Sequence, residues 1–117
     1  MGKEIIPATP AFLKAALIAM PLVLLAPAIA HSAEPPGEQL YKSNDCVTCH
    51  AIDHTLVGPS YEAVAKKYAG QKGAVAMLVK AVKDGHVGTW GQVPMPPHPN
   101  LSDATIKTIV EWILSLK

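Results

Sequence analysis

Of the 117 residues none is arginine, and phenylalanine occurs once, at Phe12. Ten lysines face nine acidic residues, a formal net charge of +1. That balance provides no broad basic surface for nucleic acid. No run alternates apolar and polar residues for long enough to make a strand, so the pattern is that of an all-α fold. The length accommodates one small domain and excludes both a multi-domain enzyme and a stack of repeats. Cysteine is limited to two residues. They allow one disulfide, one metal clip or one covalent cofactor attachment, and their spacing has to decide.

The N-terminal thirty residues differ from the rest. Lys3 and Lys14 precede an uncharged stretch, residues 15–30, that carries Leu17, Ile18, Leu22, Val23, Leu24 and Leu25 and is broken by Pro21 and Pro27. It ends in Ala28-Ile29-Ala30, a small-x-small pattern suited to signal peptidase, with a second exit after Ala33. A run of 16 residues is shorter than the ~20 that a spanning helix needs. Residues 1–30 therefore read as a cleavable secretion signal rather than a retained anchor. The mature domain, 31–117, is expected in an oxidising compartment, without stable membrane insertion.

Residues 31–117 hold eight lysines and eight acidic residues, and their aromatics are Tyr41, Tyr61, Tyr68, Trp90 and Trp112. A domain this small buries only about 60% of its unfolded surface and is marginal alone. With so few large rings, a bulky cofactor is expected to fill the middle.

Four short helices are expected. Pro35-Pro36-Gly37 opens one that passes through Leu40 and Tyr41 and stops near Asn44-Asp45. Ser60 is a candidate N-cap for a second, running to Tyr68 and closed by Gly70. After Gly73, Val75, Leu78, Val79 and Val82 fall at i, i+3, i+4 and i+7 and form one apolar stripe, with Gly85 just past its end. Glycines and prolines then make 85–100 irregular, with no regular element. Ser102 caps the last helix, Asp103 suits its first turn, and Ile106, Ile109, Val110, Ile113 and Leu114 form its buried face beside Trp112.

Cys46-Val47-Thr48-Cys49-His50 carries the most chemistry. Two cysteines three positions apart can each add across a vinyl group of haem, leaving His50 as an axial ligand to iron. A thioredoxin-like redox pair would need a βαβ context that is absent. Zinc needs four ligands, and His54, His86 and His98 do not provide a second pair at short spacing. A disulfide across two residues would add little stability. For the sixth ligand the candidates outside the signal are Met77 and Met95. Met77 lies beside an apolar helix stripe, where methionine fills core. Met95 sits in Val93-Pro94-Met95-Pro96-Pro97, where prolines stiffen the loop that presents its thioether. Met95 is the expected ligand, so the metal set is His50 and Met95. His/Met ligation favours ferrous iron and electron transfer.

These residues resemble the short bacterial class I cytochromes c of the c-551/c-552 type. The resemblance runs from about Leu40 to Lys117. It includes Cys46 to Asp53, Val57-Gly58-Pro59-Ser60-Tyr61, Lys67-Tyr68-Ala69-Gly70-Gln71, Thr89-Trp90-Gly91, Pro94-Met95-Pro96-Pro97 and Trp112 to Lys117. It implies a class I cytochrome c fold, about four helices around one haem c held by two thioether bonds through Cys46 and Cys49. It also implies that Pro59 offers its carbonyl to His50, that Trp90 donates to a haem propionate, and that Leu40 and Tyr41 cross the last helix near Ile109 and Trp112. Lys80 is expected solvated rather than on the second propionate. There are departures: Asp45 stands where many relatives have glycine, Gln92 where proline or alanine is common, and His98-Pro99-Asn100 replaces a shorter link.

The implied function is a periplasmic, monomeric single-electron carrier of the respiratory chain, not an enzyme. The resemblance suggests a cytochrome bc complex as donor and a terminal oxidase, cytochrome cd nitrite reductase or dihaem peroxidase as acceptor. Docking is expected on a rim of Val47, Ala51, Ile52 and residues 93–97, with Lys42, Lys66 and Lys67 around it. The competing class is a haem enzyme or gas-ligand sensor with an open sixth iron site.

Overall fold

Two prolines start the first helix, because the fixed φ of proline suits a first turn whose N–H groups have no intrahelical partner. In a computed structural model, which describes residues 2, 4, 8–11, 19, 21–24 and 26–117, helix α1 spans Pro36–Ser43, with Glu38 in its first turn and Lys42 in its last. Helix α2 spans Tyr61–Tyr68, and the Ser60 hydroxyl accepts from Ala63 N–H at 3.2 Å. Helix α3, Ala74–Asp84, starts after Gly73 and ends at Gly85, both at positive φ. Helix α4, Asp103–Ser115, is capped by Ser102, which accepts from Thr105 N–H at 3.1 Å. Each helix lies where the sequence pattern places it, to within two residues.

Helix α4 is the axis of the fold, and α1, α2 and α3 all pack on it. Ile106 and Val110 are fully buried. Tyr41 stacks on Trp112 at 5.6 Å between ring centroids, and Tyr61 meets both rings edge-on at 5.1 and 5.8 Å. The crossing of α1 and α4 expected at Tyr41 and Trp112 is therefore present. Gly37 makes it close enough: a Cβ there would overlap Trp112 and fall 2.8 Å from the Thr108 carbonyl oxygen.

Helix α3 differs from expectation. Its stripe residues Val75, Leu78, Val79 and Val82 are only half-buried, because Leu78 and Val82 line a cavity while Val75 and Val79 line a groove along α4. Among the described residues the only β pairing is one antiparallel bridge, in which His86 N–H donates to Met95 O at 3.1 Å and Met95 N–H to His86 O at 2.7 Å. The segment expected to be irregular is thus closed on itself, and His98 N–H, donating to Val82 O at 3.1 Å and Lys83 O at 3.2 Å, pins it to the end of α3.

By contacts the chain divides into Met1–Ala30 and His31–Lys117. In the first unit the described residues lie outside helices, and Leu22, Val23, Leu24 and Ile29 are exposed. Among the described residues no helix is long and apolar enough to cross a membrane. Lys3, Phe12, Lys14, Leu17, Ile18 and Leu25 lie outside them.

Candidate functional site

Asp45 takes the left-handed conformation at φ 57° and turns the chain into a single 3₁₀ turn, Cys46–Thr48. Cys49 N–H and His50 N–H both bond Cys46 O, at 3.2 and 2.8 Å. This turn carries Cys46, Cys49 and His50 to the wall of one cavity of about 810 Å³, which Pro59, Trp90 and Met95 also line. The six sequence-predicted site residues therefore share one space. Both cysteines are free and half-buried. Burial pushes the Cys46 thiol up, so it lacks the thiolate character of a reactive redox pair.

His50 is held on every side. Its Nδ1 lies 2.8 Å from the Pro59 carbonyl oxygen. A carbonyl only accepts, so Nδ1 carries the proton and Nε2 keeps its lone pair. The Tyr41 hydroxyl donates to the His50 carbonyl at 2.8 Å, and the Tyr61 ring stacks on the imidazole at 5.0 Å. Gly58 packs against the same ring, and its N–H donates to Cys49 O at 2.8 Å. Sequence reasoning missed the parts of Tyr41, Tyr61 and Gly58. The glycine beside Pro59 was the available signal.

On the segment after α3, Gly85 is open on the side where Met95 O comes closest. The bridge to His86 then fixes the backbone on which the Met95 thioether is carried. Trp90 sits in a turn closed by Gly88 N–H donating to Gly91 O at 3.0 Å. The Lys67 ammonium stands over its ring, 5.4 Å from the centroid. Sequence reasoning did not foresee that contact.

Some expectations for the rim change. Ala51 is buried and Ile52 half-buried, because Ala51 O and Ile52 O accept from Tyr61 N–H and Glu62 N–H at 3.0 Å each, which tucks this strip under the start of α2. Lys42 is engaged by Glu34 and Glu38. Met77, expected as core, is half-exposed at the cavity wall. Val47 and Val93 are exposed as expected, and Lys80 lies out in solvent, paired with Asp84.

The cavity walls include Val57, Val64, Leu78, Ile106, Ile109 and Val110. An apolar space of this size, within the roughly 300–1,000 Å³ of ligand sites, with two thiols and one preset imidazole on its wall, fits a flat apolar macrocycle bearing a metal. Among the described residues no three His, Cys, Asp or Glu side chains converge as a zinc site would require.

The family model for cytochrome c matches residues 35–117. The chain belongs to the cytochrome c family. The Azotobacter vinelandii cytochrome c-551 is 53% identical over 81 residues, which are 69% of this chain and 98% of that protein. The Hydrogenobacter thermophilus cytochrome c-552 is 51% identical over 81 residues, 69% of this chain and 82% of that one. Among solved structures, that of wild-type Nitrosomonas europaea cytochrome c552 superposes with a TM-score of 0.66 at 44% identity, covering 68% of this chain and 99% of that one. This cytochrome is an electron carrier of the c-551/c-552 type rather than an enzyme, and its redox group is one haem c attached through Cys46 and Cys49.

Proposed function

We propose that the cytochrome holds its iron between His50 and Met95 and works as a periplasmic shuttle between respiratory redox proteins. The observation that carries this reading is the Pro59 carbonyl 2.8 Å from His50 Nδ1. It sets the tautomer in which Nε2 is the free donor, on the wall of a cavity that Met95 also lines. When bound, haem c supplies an iron that changes oxidation state by one electron.

The chain's own residues then have distinct tasks. Tyr41, Tyr61 and Gly58 stop the imidazole from turning. The His86 bridge and the flanking prolines keep the Met95 thioether in place. Trp90 lines the cavity, where its indole N–H would meet a haem carboxylate. With both ligand carriers fixed, little rearranges when the charge changes.

Residues 1–30 would serve as the export signal, in keeping with their basic start and apolar run. The donor would be a cytochrome bc complex, and the acceptor a terminal oxidase, a cytochrome cd nitrite reductase or a dihaem peroxidase. Weak, small encounters suit such exchange. The test is the spectrum of the matured protein. A ferric sulfur–iron band present in wild type and absent in Met95→Ala supports the ligation. Rapid, complete binding of carbon monoxide by reduced wild-type protein at neutral pH overturns it in favour of an open-site enzyme or sensor.

A further inference from the structure

Two histidines on the cavity wall have Nδ1 facing a backbone carbonyl. His50 is one, with Nδ1 2.8 Å from Pro59 O. His98 is the other: it lines the same cavity, and its Nδ1 lies 3.4 Å from Val82 O. A carbonyl only accepts, so in this contact Nδ1 carries the proton and Nε2 keeps its lone pair, the form in which a histidine binds iron. The residue is half-buried and its backbone is tied down, His98 N–H donating to Val82 O and Lys83 O at 3.1 and 3.2 Å and Leu101 N–H to His98 O at 3.2 Å. At 3.4 Å the ring contact is long for a hydrogen bond, so the side chain gives it up at little cost. His98 also belongs to the segment that carries Met95, which stands three residues earlier.

The other nitrogen donors are less well placed. His54 is exposed, is held by Asp53 and lies off the cavity wall, as does His31. His86 lines the cavity, but its Nε2 bonds Thr89 Oγ1 at 2.5 Å and its backbone is locked in the bridge to Met95. Lys80, on the same wall, is paired with Asp84. We propose that His98 is a reserve axial ligand, whose Nε2 takes the sixth position on ferric iron when the Met95 thioether leaves it. The ferric form favours the change, because imidazole is a harder ligand than a thioether and His/Met ligation favours ferrous iron. A ligand borne on the same chain segment competes with small dissolved ligands at a high effective concentration. The assignment rests on the reading of His50 and Met95 as the wild-type pair, and adds what closes the site when the sulfur bond is lost. An open sixth position would make the protein a binder or a catalyst, and a second imidazole keeps it a carrier.

The experiment uses the haem-loaded ferric protein at neutral pH. Visible and electron paramagnetic resonance spectra are recorded for wild type, Met95→Ala, Met95→Ala/His98→Ala and Met95→Ala/His86→Ala. Met95→Ala should lose the sulfur–iron band yet stay low-spin, with the resonance of two imidazole ligands, at every protein concentration. Adding His98→Ala should turn it high-spin, and adding His86→Ala should leave it low-spin. If His98 holds the iron in about nine molecules of ten, its removal tightens the apparent affinity for cyanide about tenfold. Denaturant unfolding of the same variants should find Met95→Ala folded and more stable than its combination with His98→Ala.

A high-spin Met95→Ala overturns the proposal. So does a low-spin state that survives His98→Ala, disappears equally with His86→Ala, or grows with protein concentration, since the ligand is then a lysine, His86 or a second molecule. An unfolded Met95→Ala overturns it too, because a second imidazole on the iron should hold the segment in place. If wild type lacks the sulfur–iron band, the reading of Met95 itself fails. A wild type that shows the band beside a high-spin Met95→Ala removes only the reserve ligand.

Discussion

The imidazole of His50 occupies the space where Gly58 would carry a side chain: a Cβ there would fall 2.5 Å from Cε1 and 2.9 Å from Nδ1. The ring cannot retreat easily, because Tyr61 stacks on it and Pro59 holds Nδ1. Gly58→Ala should therefore lose about 1–3 kcal/mol of stability by overpacking, measured by denaturant unfolding of the haem-loaded protein. A loss under about 0.5 kcal/mol, the size of an ordinary surface change, would mean that the ring shifts freely and is not clamped.

Asp45 is the one described non-glycine residue at positive φ, 57°, and it stands just before the cysteine turn. The left-handed conformation costs a residue with a Cβ roughly 1–2 kcal/mol. Glycine removes that strain and gives back part of the gain as freedom in the unfolded chain. Asp45→Gly should stabilise by about 0.5–1 kcal/mol with an unchanged visible spectrum. A destabilised Asp45→Gly would show that the aspartate side chain supports the turn in some other way. The departure from glycine noticed in the sequence thus acquires a physical meaning, because the backbone demands what glycine supplies most easily.

Much of this molecule could be read one-dimensionally because the relevant signals are local. Ser60 and Ser102 cap helices through hydrogen bonds to residues three positions on, and Cys46, Cys49 and His50 declare themselves by spacing. What escaped was non-local. The His86–Met95 bridge and the Lys67–Trp90 contact join residues far apart in sequence that carry no mark of their partner. Gly37 reads as a helix starter, yet its decisive property is the approach to Trp112 and Thr108. Ala51 looks like rim from its place in the motif and is buried because α2 begins over it.

Burial raises the pKa of Tyr41 and of Tyr61 above the usual phenol value. Both stay protonated in the fold at pH values where the unfolded chain, with tyrosines near pKa 10, ionises. The unfolded state then binds fewer protons, so stability is whole below about pH 10 and falls as pH rises beyond it. Lys42, raised to about 12 by Glu34 and Glu38, acts in the same direction as pH rises from 10.5 towards 12. Tyr41→Phe/Tyr61→Phe should flatten the alkaline decline, followed by denaturant unfolding across pH 9 to 12. At neutral pH it should cost about 1 kcal/mol for the hydrogen bond to His50 O. An identical slope in the double variant would assign the decline to other groups.

Gly85 tests whether the backbone holds the methionine. It combines φ 82° with ψ 162°, a region open essentially to glycine alone, and a Cβ there would fall 2.9 Å from Met95 O and 3.1 Å from Pro97 N. Both obstacles are backbone atoms, so Gly85→Ala must push away the segment that bears Met95. Gly70, at φ 71° with nothing within 4 Å of the place a Cβ would take, carries the conformational cost without the collision. Both alanine variants should lose about 1–3 kcal/mol. Only Gly85→Ala should also weaken the ferric sulfur–iron band and let the reduced protein bind carbon monoxide. If Gly85→Ala keeps the band at wild-type strength, the thioether is held by its prolines rather than by the bridge to His86. If both variants lose it, global loosening rather than the local collision controls the sixth position.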